Sequence, residues 1–104
     1  MLKGIKLRFK GYIKKVILEA IYSSFGDVKV FLFGSRIDDS KKGGDFDLAI
    51  MGDFSKEEFR KRKIEFIKIM IKKDLDLPID LVNFQYADEL LQKEINKKGI
   101  LLNG

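Results

Sequence analysis

Two aspartates, Asp45 and Asp47, are the clearest candidates for chemistry in this sequence. One residue separates them in the segment Asp-Phe-Asp-Leu-Ala-Ile-Met. On a β-strand, residues two apart project from the same face with their Cα atoms about 6.6 Å apart. Two carboxylates so placed repel each other, and a bound Mg²⁺ removes that cost while leaving coordination positions for phosphate oxygens. The pair therefore predicts a Mg²⁺ site that acts on a phosphate-bearing substrate.

A third carboxylate, Asp80, lies in the later apolar segment Ile-Asp-Leu-Val. Strand alternation places Asp80 on the face opposite to Ile79 and Leu81. If this strand neighbours the one that carries the pair, Asp80 faces the same site. It would then complete a second Mg²⁺ site or accept the proton of an attacking hydroxyl, as two-metal phosphoryl and nucleotidyl transfer requires.

A glycine-serine turn follows the most apolar strand candidate of the chain. Gly34 allows the backbone to approach a phosphate, the Ser35 hydroxyl can donate to its oxygens, and Arg36 adds positive charge nearby. The turn belongs to neither of two common nucleotide-binding motifs, because the sequence has no Gly-Lys-Ser/Thr and no Gly-x-Gly-x-x-Gly.

Composition narrows the chemistry further. The 104 residues include no cysteine and no histidine, which excludes disulfides, thiolate nucleophiles, serine-histidine machinery and imidazole metal sites. The net charge of +5 comes from lysines scattered beside glutamates, a pattern typical of solvated helix faces rather than of a nucleic-acid surface. We expect a cytoplasmic protein without membrane contact, because no long apolar run or signal-peptide core occurs.

Periodicity predicts how these residues are positioned. Apolar residues recur at helical spacing or alternate at strand spacing, and a capping box starts the second helix. The predicted elements are a helix at Lys10–Ser24, a strand at Val28–Phe33, a loop at Arg36–Gly44, a strand at Asp45–Met51, a helix from Ser55, a strand at Ile79–Phe84, a helix at Ala87–Lys98 and an edge strand at Ile100–Leu102. The order α-β-β-α-β-α-β predicts one α+β domain over residues 1–104, with a small mixed sheet and helices packed on one face.

Helical spacing also predicts which side chains of the later helices face the core. In the helix from Ser55 these are Phe59, Phe66, Ile67, Met70 and Ile71. In the last helix Leu90, Leu91 and Ile95 are expected to point inward, with Gly99 following the helix end. For Tyr12, Tyr22 and Tyr86 the sequence leaves open whether they belong to the core or to a binding surface.

The motifs, taken together and in this order, resemble one family. Leu32-Phe-Gly-Ser-Arg36, Asp45-Phe-Asp-Leu-Ala-Ile50 and Ile79-Asp-Leu-Val82 are similar to the minimal nucleotidyltransferases of the DNA polymerase β-like superfamily. The resemblance implies a polymerase β palm-like fold. It also implies that Gly34 and Ser35 hold the triphosphate of ATP, that the Asp45/Asp47 pair binds Mg²⁺, and that Asp80 completes the site.

Members of this size resemble the nucleotidyltransferase half of two-gene systems. The other half is an all-helical HEPN-type or substrate-binding protein, often a toxin that adenylylation neutralises. The resemblance thus implies transfer of AMP to a hydroxyl, such as a partner tyrosine, within a hetero-oligomer, while homo-oligomers stay open.

Two alternatives also stay open. Many members have Ala-Arg-Gly or Ala-Lys-Gly at the position of Ile37-Asp38-Asp39. Because two acids replace a basic residue there, the chain could instead be a binding-only or nucleotide-sensing subunit. The excess of basic residues leaves an RNA nucleotidyltransferase module as a further hypothesis. It is the least favoured one, because the aromatic residues lie at core spacing and not on a stacking face.

Overall fold

The computed structural model describes residues 12–34, 46–75 and 78–104. Within them the chain forms α1 (Tyr12–Phe25), β1 (Lys29–Phe33), β2 (Phe46–Met51), α2 (Lys56–Lys72), β3 (Ile79–Asn83), a 3₁₀ turn (Phe84–Tyr86), α3 (Glu89–Lys98) and β4 (Ile100–Leu101). The α+β class and the predicted order of elements are confirmed. The beginning of the predicted first helix and the loop before Asp45 lie outside the described residues.

The strands form one mixed sheet in the order β3-β2-β1-β4. β1 is antiparallel to β2 and to β4, whereas β2 and β3 are parallel. A parallel pair needs a crossover connection, which α2 provides here. The strands that carry Asp47 and Asp80 are therefore direct neighbours, as the site prediction requires.

Hydrophobic clusters cover both faces of the sheet, and the alternation of β2 divides them. Phe46, Leu48 and Ile50 enter the larger cluster with side chains of α1 and α2, whereas Ala49 packs with Ile95 of α3 in the smaller one. α1 and α2 share one face as predicted. The prediction that the helices pack on one face is wrong for α3. It lies on the opposite face, because Leu91 and Ile95 contact the strand residues that alternate away from the larger cluster.

Three of the predicted core positions are wrong. Ile67 and Ile71 of α2 are 45% and 71% exposed, and Leu90 of α3 is 79% exposed. Ile67 and Ile71 each lie next in sequence to a buried residue, and Leu90 lies next to the partly buried Leu91. One residue rotates a side chain by about 100° around a helix axis. Only a few residues of each helix are buried, so the neighbouring position faces outward.

The ends of the elements follow local rules, with two corrections. A capping box at this end would have two contacts, one from the Glu58 backbone N–H to the Ser55 hydroxyl and one from the Glu58 carboxylate to the Ser55 backbone N–H. The first is present at 3.0 Å, but the Glu58 carboxylate instead pairs with Arg62 at 2.9 Å. β3 ends at Asn83, and Phe84 begins the 3₁₀ turn. None of the helices in the described ranges combines the length and the apolarity that crossing a membrane requires.

Candidate active site

A row of side chains crosses three strands at one end of the sheet. Phe33, the last residue of β1, pairs with Asp47 of β2, and Asp47 pairs with Asp80 of β3. Register partners in adjacent strands project from the same face, with their strands about 4.8 Å apart. The structure therefore brings Asp47 and Asp80 together, on the face that also carries Ala49 and Val82.

Gly34 closes this row where β1 ends. Its φ of +89° lies in the region that glycine adopts most easily, which explains the abrupt end of the strand. A β-carbon at this position would overlap the Oδ2 oxygen of Asp47. The backbone turn is thus in direct contact with a carboxylate of the predicted pair, which joins two motifs that are separate in the sequence.

Three predicted site residues, Ser35, Arg36 and Asp45, lie outside the described residues. Their neighbours in sequence, Gly34 and Phe46, are both at the site end of the sheet. The Phe46 backbone N–H donates to the Pro78 carbonyl at 2.7 Å, so β2 is held against the β3 segment from its first residue. Asp45 directly precedes that residue in the sequence.

The surroundings of the two described carboxylates differ. Asp47 is half-buried beside Phe33, whose side chain is only 6% exposed and packs in the cluster under α3. Asp80 lies on an edge strand and exposes 49% of its side chain. Asp47 therefore has a fixed position between protein groups, and Asp80 has room for a substrate.

Lys63 of α2 is a site neighbour that sequence patterns did not predict. Its Nζ lies 3.5 Å from Oδ1 of Asp80, and both side chains are partly exposed. The contact is long for a hydrogen bond, and exposed ion pairs of this kind contribute little to stability. No motif predicts this contact, because 17 residues separate the two positions and only the crossover between β2 and β3 brings them together.

The donor chemistry of the site fits Mg²⁺. Asp47 and Asp80 offer carboxylate oxygens on one face, which are the ligands that Mg²⁺ prefers. Among residues 12–34, 46–75 and 78–104, no group of three or more acidic, histidine or cysteine side chains is placed to hold a metal ion. Asp45, which would be the third carboxylate, is not part of that set.

Residues 16–104 match the family described as Polymerase beta, Nucleotidyltransferase. The chain therefore belongs to the polymerase β-like nucleotidyltransferase family. Among curated proteins no match is found.

Solved structures similar to this chain include components of toxin–antitoxin complexes. One, a toxin–antitoxin with AMP-PNP, has a TM-score of 0.66 at 19% identity and covers 88% of this chain and 73% of its own. A second, the Shewanella oneidensis HEPN toxin in tri-AMPylated form with its MNT antitoxin, has a TM-score of 0.60 at 19% identity, with 88% and 69% covered. A third, a mutant of the MntA-HpeT pair, has a TM-score of 0.64 at 18% identity, with 88% and 72% covered. These similarities support the fold.

Proposed function

We propose that this chain is a Mg²⁺-dependent nucleotidyltransferase that transfers AMP from ATP to a hydroxyl of a helical partner protein. The observation that carries the proposal is the row in which Asp80 pairs with Asp47 and Asp47 contacts Gly34. It joins carboxylates that suit a metal ion to a turn that suits a phosphate.

The proposed reaction is in-line attack of an acceptor hydroxyl on the α-phosphorus of ATP. A bond forms between the acceptor oxygen and phosphorus, the bond from the α-phosphorus to the bridging oxygen breaks, and pyrophosphate leaves. Asp80 accepts the hydroxyl proton, since it lies on the edge strand and is half exposed to an incoming acceptor. The backbone at Gly34, with Ser35 and Arg36, holds the triphosphate.

Asp45, Asp47 and Asp80 are the residues that would hold Mg²⁺, in one or two ions. When bound, it supplies positive charge that offsets the charge of the triphosphate. The contact of Asp47 with Gly34 fixes the metal-binding carboxylate relative to the phosphate-binding turn. This fixed geometry is what transfer catalysis needs, because positioning and electrostatic stabilisation supply most of the rate.

The family supports the transferase activity. The similar structures support AMP as the transferred group and a toxin as the acceptor. A complex with AMP-PNP and a tri-AMPylated HEPN toxin are both found among proteins that share this fold. By that likeness we propose a HEPN-type helical protein as the partner and its side-chain hydroxyl as the acceptor.

The test is label transfer from ATP labelled at the α-phosphate to the protein encoded by the adjoining gene. We expect label on the partner with Mg²⁺ present and none with γ-labelled ATP, since pyrophosphate carries that label away. Asp45→Asn combined with Asp47→Asn should abolish transfer while the complex persists. Asp27→Asn, which changes an exposed acid in the turn before β1, is the matched control and should keep full activity.

Two outcomes would decide for the alternatives. If the wild-type chain forms the complex but transfers no label, it is a binding-only or nucleotide-sensing subunit. If label enters RNA and not the partner, it is an RNA nucleotidyltransferase.

A further inference from the structure

Three isoleucines form an exposed stripe along the outer face of α2. Ile64, Ile67 and Ile71 are 48%, 45% and 71% exposed. Their spacing of i, i+3 and i+7 places them on one side of the helix, away from Phe59, Phe66 and Met70 in the core. We call Ile64, Ile67 and Ile71 the isoleucine stripe. Neighbouring exposed aliphatic side chains of this kind often mark an interaction site.

Basic side chains outnumber acidic ones around the isoleucine stripe. α2 carries seven lysines and arginines against three glutamates over its length. Arg60 lies one turn before Ile64 on the same line, and Lys61 and Lys68 lie along one flank at helical spacing. A surface with an apolar centre and a basic rim is complementary to an apolar surface with an acidic rim.

The stripe also adjoins the candidate active site. Lys63, the residue before Ile64 and one turn from Ile67, reaches Asp80 on the edge strand β3. β3 is the outermost strand on that side of the sheet. Because Asp80 projects from the face opposite to α2, a protein bound along the stripe would reach the proposed proton acceptor by extending past the edge strand β3.

We propose that the isoleucine stripe docks an acidic amphipathic helix of the partner protein and that this docking brings the acceptor hydroxyl to Asp80. A helix fits because residues at i, i+3 and i+7 have the spacing of the apolar seam along which two helices pack together. The delivery to Asp80 rests on the proposed function, whereas the docking does not.

Other occupants fit the stripe less well. A nucleic acid would satisfy the basic rim but would leave the isoleucines without apolar contacts, since it binds by phosphate contacts and aromatic stacking. A second copy of this chain would bring a like-charged surface against the basic rim.

The experiment measures binding of the protein from the adjoining gene by calorimetry, without ATP. Ile67→Glu combined with Ile71→Glu should weaken the affinity by about tenfold or more, because buried aliphatic anchors are replaced by charges. Leu90→Glu is the control, since Leu90 is a leucine on α3 that is 79% exposed. It should leave the affinity within about twofold of wild type. Circular dichroism should show unchanged helix content in all variants, because the altered side chains are exposed.

Several results would overturn the proposal. These are wild-type affinity in the double variant, an equal loss with Leu90→Glu, or no binding of the wild-type chain to this protein. Binding to phosphatidylserine vesicles and self-association in sedimentation test the other occupants. If the double variant loses one of these and still binds the partner, the isoleucine stripe binds a membrane or a second copy of the chain instead. If the complex depends on the isoleucine stripe but transfers no label, the docking proposal is supported and the proposed function is wrong.

Discussion

Gly34 is required by two independent constraints at one position. Its backbone adopts a φ of +89°, which costs other residues strain, and the space beside its Cα is occupied by the Asp47 carboxylate. Gly26 shares only the first constraint, because its φ is +87° and a β-carbon there would meet nothing within 4 Å. Comparing substitutions at the two glycines therefore distinguishes the cost of backbone strain from the effect of displacing the Asp47 carboxylate.

Replacing each of these glycines by alanine gives the residue-scale prediction. Gly26→Ala should lower the free energy of unfolding by about 1–2 kcal/mol, the usual cost of a left-handed alanine, and Gly34→Ala should lower it by at least that much. Only Gly34→Ala should also weaken binding of Mg²⁺-ATP, because its methyl group displaces the Asp47 carboxylate. Urea denaturation and calorimetric titration with Mg²⁺-ATP measure the two effects. Equal nucleotide affinity in both variants would contradict the role of Gly34 in the site.

At the scale of elements, the agreement between sequence and structure depends on the kind of signal. Strand alternation predicted that Asp80 faces the same side as Asp47, and the register confirms that they are partners. Alternation succeeds because a strand has only two faces. Helix stripes were predicted less well, since Ile67 and Leu90 lie within one residue of core positions and only the line of contact with the sheet decides which side is buried.

Contacts between distant elements could not be predicted at all. The Lys63 contact with Asp80 depends on where the α2 crossover places its middle turn relative to β3. The placement of α3 on the second face likewise depends on which residues of β1, β2 and β3 remain uncovered by α1 and α2. Both are consequences of tertiary packing, for which local periodicity carries no signal.

The start of α2 gives the element-scale prediction. The Ser55 hydroxyl accepts the Glu58 N–H at 3.0 Å, and no other side chain caps this end of the helix in the part of the chain that the structure describes. Ser55→Ala should lower the free energy of unfolding by about 1 kcal/mol, the usual loss for a serine cap. Ser23→Ala, at an exposed position inside α1, is the control and should change stability by less than about 0.5 kcal/mol. Equal urea midpoints for wild type and Ser55→Ala would show that the cap contributes nothing.

At the scale of the whole molecule, one sheet supports two hydrophobic clusters. β2 supplies Phe46, Leu48 and Ile50 to one cluster and Ala49 to the other. If β2 left the sheet, both clusters would therefore be exposed. β4 follows α3 directly and pairs with β1, which ties the last elements to the centre of the sheet. On this basis we propose that residues 1–104 form a single domain.

Cooperative unfolding tests that proposal. Ile95 is fully buried and is the only side chain of α3 in the buried core of the described residues. Ile95→Ala should lower the free energy of unfolding by about 2–5 kcal/mol, the range for a truncated core aliphatic. If the chain is one domain, far-UV circular dichroism and tyrosine fluorescence should still report a single coincident transition, shifted to lower urea. Two separate transitions, with only the earlier one shifted by the substitution, would mean that α3 and its cluster unfold independently of the α1–α2 face. The row of Phe33, Asp47 and Asp80 lies on the face that α3 covers. The candidate site would then lose its α3 cover while the rest of the fold remained intact.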